Sequence, residues 1–209
     1  MHIDDFELKT SVDWIKNYDG KPSVTWILSL IVDPTFDMLK SNPDFERIMK
    51  AAADRWTYVH NYIENTLQNK LTYIDDQYKD FIKQVILYKN IYPTQWKLYL
   101  EKFFSTNDLW WTIDCIEETK TFTIIRDWKT AKQLPSWLML DKYKLQLGAY
   151  YYLYINSWNV SHQMIQAELV VFTEDKFRVF KYNEIELAKF ADIYLKILDT
   201  YYSIIKEQW

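Results

Sequence analysis

The chain has two glycines, one cysteine and no long apolar run, and each shortage removes a class of protein. Gly20 and Gly148 cannot build a glycine-rich loop that cradles phosphates, which excludes P-loop and dinucleotide-binding readings. Cys115 alone excludes an internal disulfide framework and any cysteine-only zinc or iron–sulfur site. No apolar stretch approaches the roughly 20 residues of a membrane span. The N-terminus, Met1-His2-Ile3-Asp4-Asp5, lacks the basic-then-apolar order of a secretory leader. The expectation is a soluble, intracellular, cytoplasmic protein with no membrane partner.

What is present is ordinary for a globular chain: 209 residues, 49% hydrophobic and 26% charged. That length suits one domain spanning 1–209 with a substantial core. A net charge of −4 argues against general coating of nucleic acid but leaves room for local basic patches. Lys40, Arg47 and Lys50 form one candidate, and Lys129, Lys132, Lys142 and Lys144 another; singly, each reads as a solvated side chain. Aromatic residues reach 18%. Rings can stack on unpaired bases, but most are read as core and no tryptophan is assigned to nucleic acid.

Periodicity predicts the following order. An apolar lead-in covers Pro22 to Leu28, with a turn at Asp33-Pro34. Asn42-Pro43-Asp44 starts a helix running to about Asn69, and a second helix covers Tyr73 to Tyr88. A strand pattern begins after Ile91, with Gln95 and Trp96 opening its alternation. Trp110–Ile116 and Thr121–Lys129 are strands joined by the polar loop 117–120. A helix spans Asp141 to Ile155. Met164–Phe172 and Phe177–Tyr182 form a hairpin, and a closing helix runs from Asn183, with Glu186 as capping-box partner, nearly to Trp209. The fold class is α/β (α+β), a sheet flanked by helices.

One constellation exceeds what packing requires: Asp114, then Asp127-Trp128-Lys129, then Gln146 and Tyr150. An acid pair offers hard oxygen ligands to a divalent cation, and a nearby lysine can steady an attacking water or a phosphate. The strand period of two projects Asp127 and Lys129 to one side and Trp128 to the other. Gln146 and Tyr150 sit at i and i+4, so both look the same way. Trp56, His60 and Glu64 share a helix face, and His60 reads either as a ligand or as the partner of Glu64. His2 and His162 have no motif around them and read as surface or structural residues. Cys115 reads as a small packed side chain without a histidine to activate it.

In this order the chain resembles the PD-(D/E)XK nuclease superfamily, in its RecB-like branch. The similarity rests on Ser23-Val24-Thr25-Trp26-Ile27-Leu28, on Arg55-Trp56-Thr57-Tyr58-Val59-His60-Asn61-Tyr62-Ile63-Glu64, on Ile113-Asp114, on Asp127-Trp128-Lys129-Thr130, and on Gln146-Leu147-Gly148-Ala149-Tyr150. The resemblance implies a restriction-endonuclease-like core with a central mixed sheet. It implies Asp114, Asp127 and Lys129 as catalytic residues. His60, Asp114 and Asp127, with the Trp128 backbone carbonyl, would hold magnesium or manganese, the histidine making manganese credible. Gln146 and Tyr150 would position the motif or contact the nucleic-acid backbone. The activity implied is hydrolysis of DNA phosphodiesters, on single-stranded DNA or DNA with free ends, in replication, recombination or repair. The chain departs from the pattern at Trp56 and Trp111, where relatives carry glycine, so that the entrance to the site narrows. It is also similar to CRISPR-associated RecB-like exonucleases, but with one cysteine it cannot hold their iron–sulfur cluster. The alternatives are a catalytically silent nuclease fold that binds nucleic acid or assembles, and action on RNA or a junction. End-dependent and internal attack stay equally open.

Overall fold

The computed structural model describes residues 1–11, 20–94, 97–157 and 164–208. Trp110–Glu118 (β2) and Phe122–Thr130 (β3) form the hairpin that their alternating pattern requires. Thr119 Oγ1 accepts the amide hydrogens of Thr121 (3.2 Å) and Phe122 (3.0 Å), which tightens the turn; β2 runs on to Glu118, beyond its expected end, and β3 starts at Phe122, one residue later than expected. Lys97–Ser105 (β1) pairs antiparallel with β2. Met164–Phe172 (β4) runs parallel to β3, and Phe177–Asn183 (β5) closes the sheet antiparallel to β4. The strand order is β1-β2-β3-β4-β5.

A parallel neighbour cannot be reached by a tight turn. The chain therefore crosses the sheet from β3 to β4 through helix Trp137–Ser157 (α5). This helix, the closing helix Glu184–Gln208 (α6) and the short Val24–Leu28 (α1) cover one face around Ile125, Leu145, Leu169 and Tyr194. Helices Phe45–Leu67 (α3) and Lys79–Ile91 (α4) cover the other around Val59, Ile82, Cys115 and Trp128. The result is a mixed α+β architecture, a five-stranded mixed sheet flanked by helices, consistent with a restriction-endonuclease-like core. Among the described residues no helix is long and apolar enough to cross a membrane.

Gly148 lets α5 and α6 meet backbone to backbone. A Cβ there would fall 2.5 Å from both the Ala191 nitrogen and the Phe190 carbonyl carbon. The glycine of the Gln-Leu-Gly-Ala-Tyr segment thus serves packing, and it sets the depth at which Gln146 and Tyr150 sit.

Several boundaries differ from the periodicity, each for a local reason. The lead-in is helical as α1, because Ser23 Oγ accepts from the Trp26 amide at 3.3 Å. The Asp33-Pro34 turn is the start of helix Pro34–Lys40 (α2), where Asp33 accepts from the Phe36 amide at 3.1 Å and proline sits in the first turn. Asn42 Oδ1 accepts from the Asp44 amide at 2.8 Å, and α3 starts after that turn, at Phe45. The second helix begins at Lys79, not Tyr73. The Tyr58 hydroxyl donates to the Tyr73 carbonyl and accepts from the Asp75 amide, both at 2.7 Å, and so pins the extended chain before it. The Asn183–Glu186 capping box closes in both directions, at 2.9 and 3.0 Å. Gln95, Trp96, His162 and Trp209 lie outside the described residues.

Candidate metal centre

The β2–β3 ladder ends at the pair Cys115↔Arg126. Beyond it the strands part, and Asp114 and Asp127 occupy the mouth of the fork. The Asp114 carboxylate takes over the bond the ladder no longer supplies: its Oδ2 accepts the Trp128 amide hydrogen at 3.0 Å. Both acids are buried, Asp114 at 7% exposure and Asp127 at 0%.

His60 reaches the same residue from α3. Its Nε2 lies 2.8 Å from the Trp128 carbonyl oxygen, which can only accept, so Nε2 carries the hydrogen. That leaves the Nδ1 lone pair facing Asp114, 3.8 Å from Oδ2. A histidine held by a carbonyl through one nitrogen presents the other as a ligand in a defined orientation. Its partner is thus Trp128 and not Glu64, whose carboxylate accepts from Gln68 at 2.9 Å.

The third member of the group is Glu101, which periodicity treated only as a polar strand residue. Ligand atoms of His60, Glu101 and Asp114 all lie within 4.8 Å of one another. Glu101 reaches this place through a break in β1, where its φ is 48°, in the left-handed region. The alternation of faces changes there. Tyr99 and Ile116 below the break, and Phe104 and Ile113 above it, all belong to the α5–α6 core, although strict alternation would put them on opposite faces. In the sequence Glu101 stands beside Lys102 in a strand of mixed polarity, and no motif singles it out.

Asp127 stands beside this group. Lys129 Nζ lies 2.8 Å from each of its carboxylate oxygens, and the Tyr150 hydroxyl donates to Oδ1 at 3.2 Å. Asp127 Oδ2 is buried, with the Lys129 ammonium as its partner. Gln146 Nε2 donates to the Tyr150 hydroxyl, and Trp111 Nε1 does so at 2.7 Å. Gln146, Tyr150, Asp127 and Lys129 therefore form one hydrogen-bonded chain, as the helical and strand spacings predict. Trp56, half-exposed, lays its indole against the His60 ring with centroids 4.3 Å apart. Trp56 thus walls the group on the His60 side, while Trp111 joins it only through the Tyr150 hydroxyl.

Titration reflects the crowding of acids. Burial, joined by the charges of Asp127 and Glu101, pushes Asp114 well above the usual carboxylate range. Burial, with Glu64 and Asp127, raises Glu101 to about 6. Burial lowers His60 to about 4, so the imidazole is neutral and fit to ligate. Desolvation opposes the charge on Lys129, but Asp127 and Asp114 outweigh it and hold the ammonium above its ordinary value.

Three carboxylates face one ammonium and one neutral imidazole, a set short of positive charge. One nitrogen and several carboxylate oxygens suit a divalent cation, and the raised acids are what such a charge would relieve. This set differs from the expected ligands in that Glu101 enters, Asp127 is engaged by Lys129 and Tyr150, and the Trp128 carbonyl already accepts from His60.

Several other charges of the described residues are paired. Arg126, on the opposite face, binds Glu168 at 2.8 Å and Glu117, and Lys181 adds a contact to Glu168 at 3.1 Å. Lys40, Arg47, Lys50, Lys142 and Lys144 of the expected basic patches sit against Asp37, Asp44, Asp54, Asp33 and Asp141. Cys115 is fully buried and its thiol is pushed up to about 12, as for a packed side chain.

No family model and no curated protein matches the sequence. Among solved structures, the chain is similar to a phage related exonuclease from Haemophilus somnus 129PT at 13% identity, with 90% of this chain and 96% of that one covered and a TM-score of 0.42. It is also similar to SSO0001 at 15% identity, with 68% and 85% covered and a TM-score of 0.32.

Proposed function

We propose that the protein is a metal-dependent deoxyribonuclease that hydrolyses phosphodiester bonds with a metal-activated water. The observation that carries the reading is the convergence of His60 Nδ1, Glu101 and Asp114 within 4.8 Å, with the Asp127–Lys129 pair beside it. His60, Glu101 and Asp114 would hold magnesium or manganese, with Asp127 adjoining. Once bound, such a cation polarises a phosphoryl oxygen and lowers the pKa of water.

The protein's own groups do the rest. Lys129 brings a fixed positive charge to the place where negative charge grows on the phosphate. Asp127 holds that ammonium, and Tyr150 and Gln146 hold Asp127. The Trp128 carbonyl fixes the His60 tautomer, so the ligand nitrogen needs no reorganisation. Burial of Asp114 and Asp127 keeps bulk water from screening their charges. The substrate we assign is single-stranded or end-bearing DNA, because the half-exposed Trp56 against His60 narrows the approach to the group.

The test is cleavage of end-labelled DNA with magnesium, manganese or EDTA, run with wild type and Asp114→Asn. Cutting that needs the cation and is lost in the variant supports the reading. A folded Asp114→Asn protein that cuts as well as wild type would remove it.

A further inference from the structure

A cleft of about 260 Å³ lies between α1, α2 and the first half of α5, and it shares two side chains with the metal centre. Tyr143 lines it, and the Tyr143 ring centroid is 5.3 Å from Lys129 Nζ. Gln146 lines it too, and Gln146 reaches Asp127 through the Tyr150 hydroxyl. Gln146 is 4% exposed, and among the described residues its Oε1 accepts no hydrogen bond. That oxygen lines the cleft and is open to a donor that a ligand supplies.

The remaining walls indicate what that ligand is. Leu28, Phe36 and Met139 make an apolar side suited to a flat ring, while Lys9 puts a cation at an edge where Asp33 and Asp37 are already paired with Lys142 and Lys40. A volume of about 260 Å³ holds one nucleoside and not a run of chain. A base in this cleft cannot at the same time be paired in a duplex.

We infer that the cleft receives the terminal nucleotide of a single strand whose adjoining phosphodiester lies at the metal centre. This rests on the nuclease reading and adds end-dependence to it: the base lies against Phe36 and Met139, and Gln146 Oε1 accepts from a base or sugar donor. Tyr143 and Gln146 then connect recognition of the end to the acids.

The experiment compares a linear single-stranded oligonucleotide with the closed circle of the same sequence, using wild type, Met139→Trp, which fills the cleft, and Phe36→Ala, which removes one wall. Binding is read in EDTA and cleavage with manganese, with thermal melting as a check on folding. Expected are at least tenfold tighter binding of the linear strand by wild type, release of mononucleotides, and loss of the end preference in folded Met139→Trp. End preference that disappears in Met139→Trp but comes with no cleavage under any cation supports the cleft and sinks the nuclease reading. Equal cutting of circle and linear strand by all three proteins keeps the nuclease and overturns the cleft. Undiminished end preference in both variants also overturns it.

Discussion

Glu101 stands opposite Asp114 across the β1–β2 ladder, at the one rung that its otherwise continuous register omits. The backbone of Glu101 is turned to φ 48°, and the carboxylate comes within reach of Asp114 and His60. A side chain in the left-handed region costs about 1–2 kcal/mol.

Stability and ion binding should therefore move in opposite directions at Glu101. Glu101→Gly relaxes the backbone and Glu101→Ala does not, so the glycine variant should be more stable by about 1 kcal/mol in EDTA. Both should lose at least tenfold in manganese affinity. Chemical denaturation and calorimetric titration read the two effects, and an alanine variant as stable as the glycine variant would argue against strain at this position.

Lys129 neutralises a carboxylate that is fully buried. Lys129→Met leaves Asp127 without its cation and should cost about 3–5 kcal/mol in EDTA. Asp127→Asn combined with Lys129→Met should recover most of that loss, since no unpaired charge remains. Both proteins should be inactive on DNA. A double-mutant cycle by urea denaturation checks the coupling; additive losses would contradict a direct ion pair.

Ion binding should depend on pH in a way the acids of the group dictate. Glu101, raised to about 6, and Asp114, raised further, hold protons that a cation must displace. Affinity for manganese should climb from pH 5 through 7, with more protons released at pH 6 than at 8. Without cation, His60 acts on stability with a definite sign. Its folded value of about 4 lies below its unfolded value, so the folded state binds fewer protons between pH 4 and 6.5. The stabilisation from His60 is complete above that window and is lost as pH falls through it. His60→Gln should reduce this acid sensitivity, measured as the difference in melting temperature between pH 7 and pH 5.

Gly148→Ala should destabilise the protein by about 1–3 kcal/mol or more, because the added methyl meets backbone atoms of Phe190 and Ala191 that cannot rotate away. Moving α5 outward also displaces Gln146 and Tyr150, so DNA cleavage should fall with the melting temperature. Unchanged melting would contradict the close helix contact.

What the sequence determined by itself was whatever follows from a single element's repeat. The strand period put Asp127 and Lys129 on one side and sent Trp128 into the α3–α4 core. The helical period put Gln146 and Tyr150 in line, and the Asn183–Glu186 pair marked the start of the closing helix. These depend on neighbours a few residues apart, whose geometry any regular element imposes. Tertiary structure alone decided that Glu101 joins Asp114, that His60 bonds the Trp128 carbonyl across 68 residues, and that Gln146 also borders a cleft built with α1 and α2. Those relations arise where two strands part, where a strand breaks its alternation and where separate helices converge. They are set by register, twist and packing between distant segments, which leave no repeat in the sequence to read.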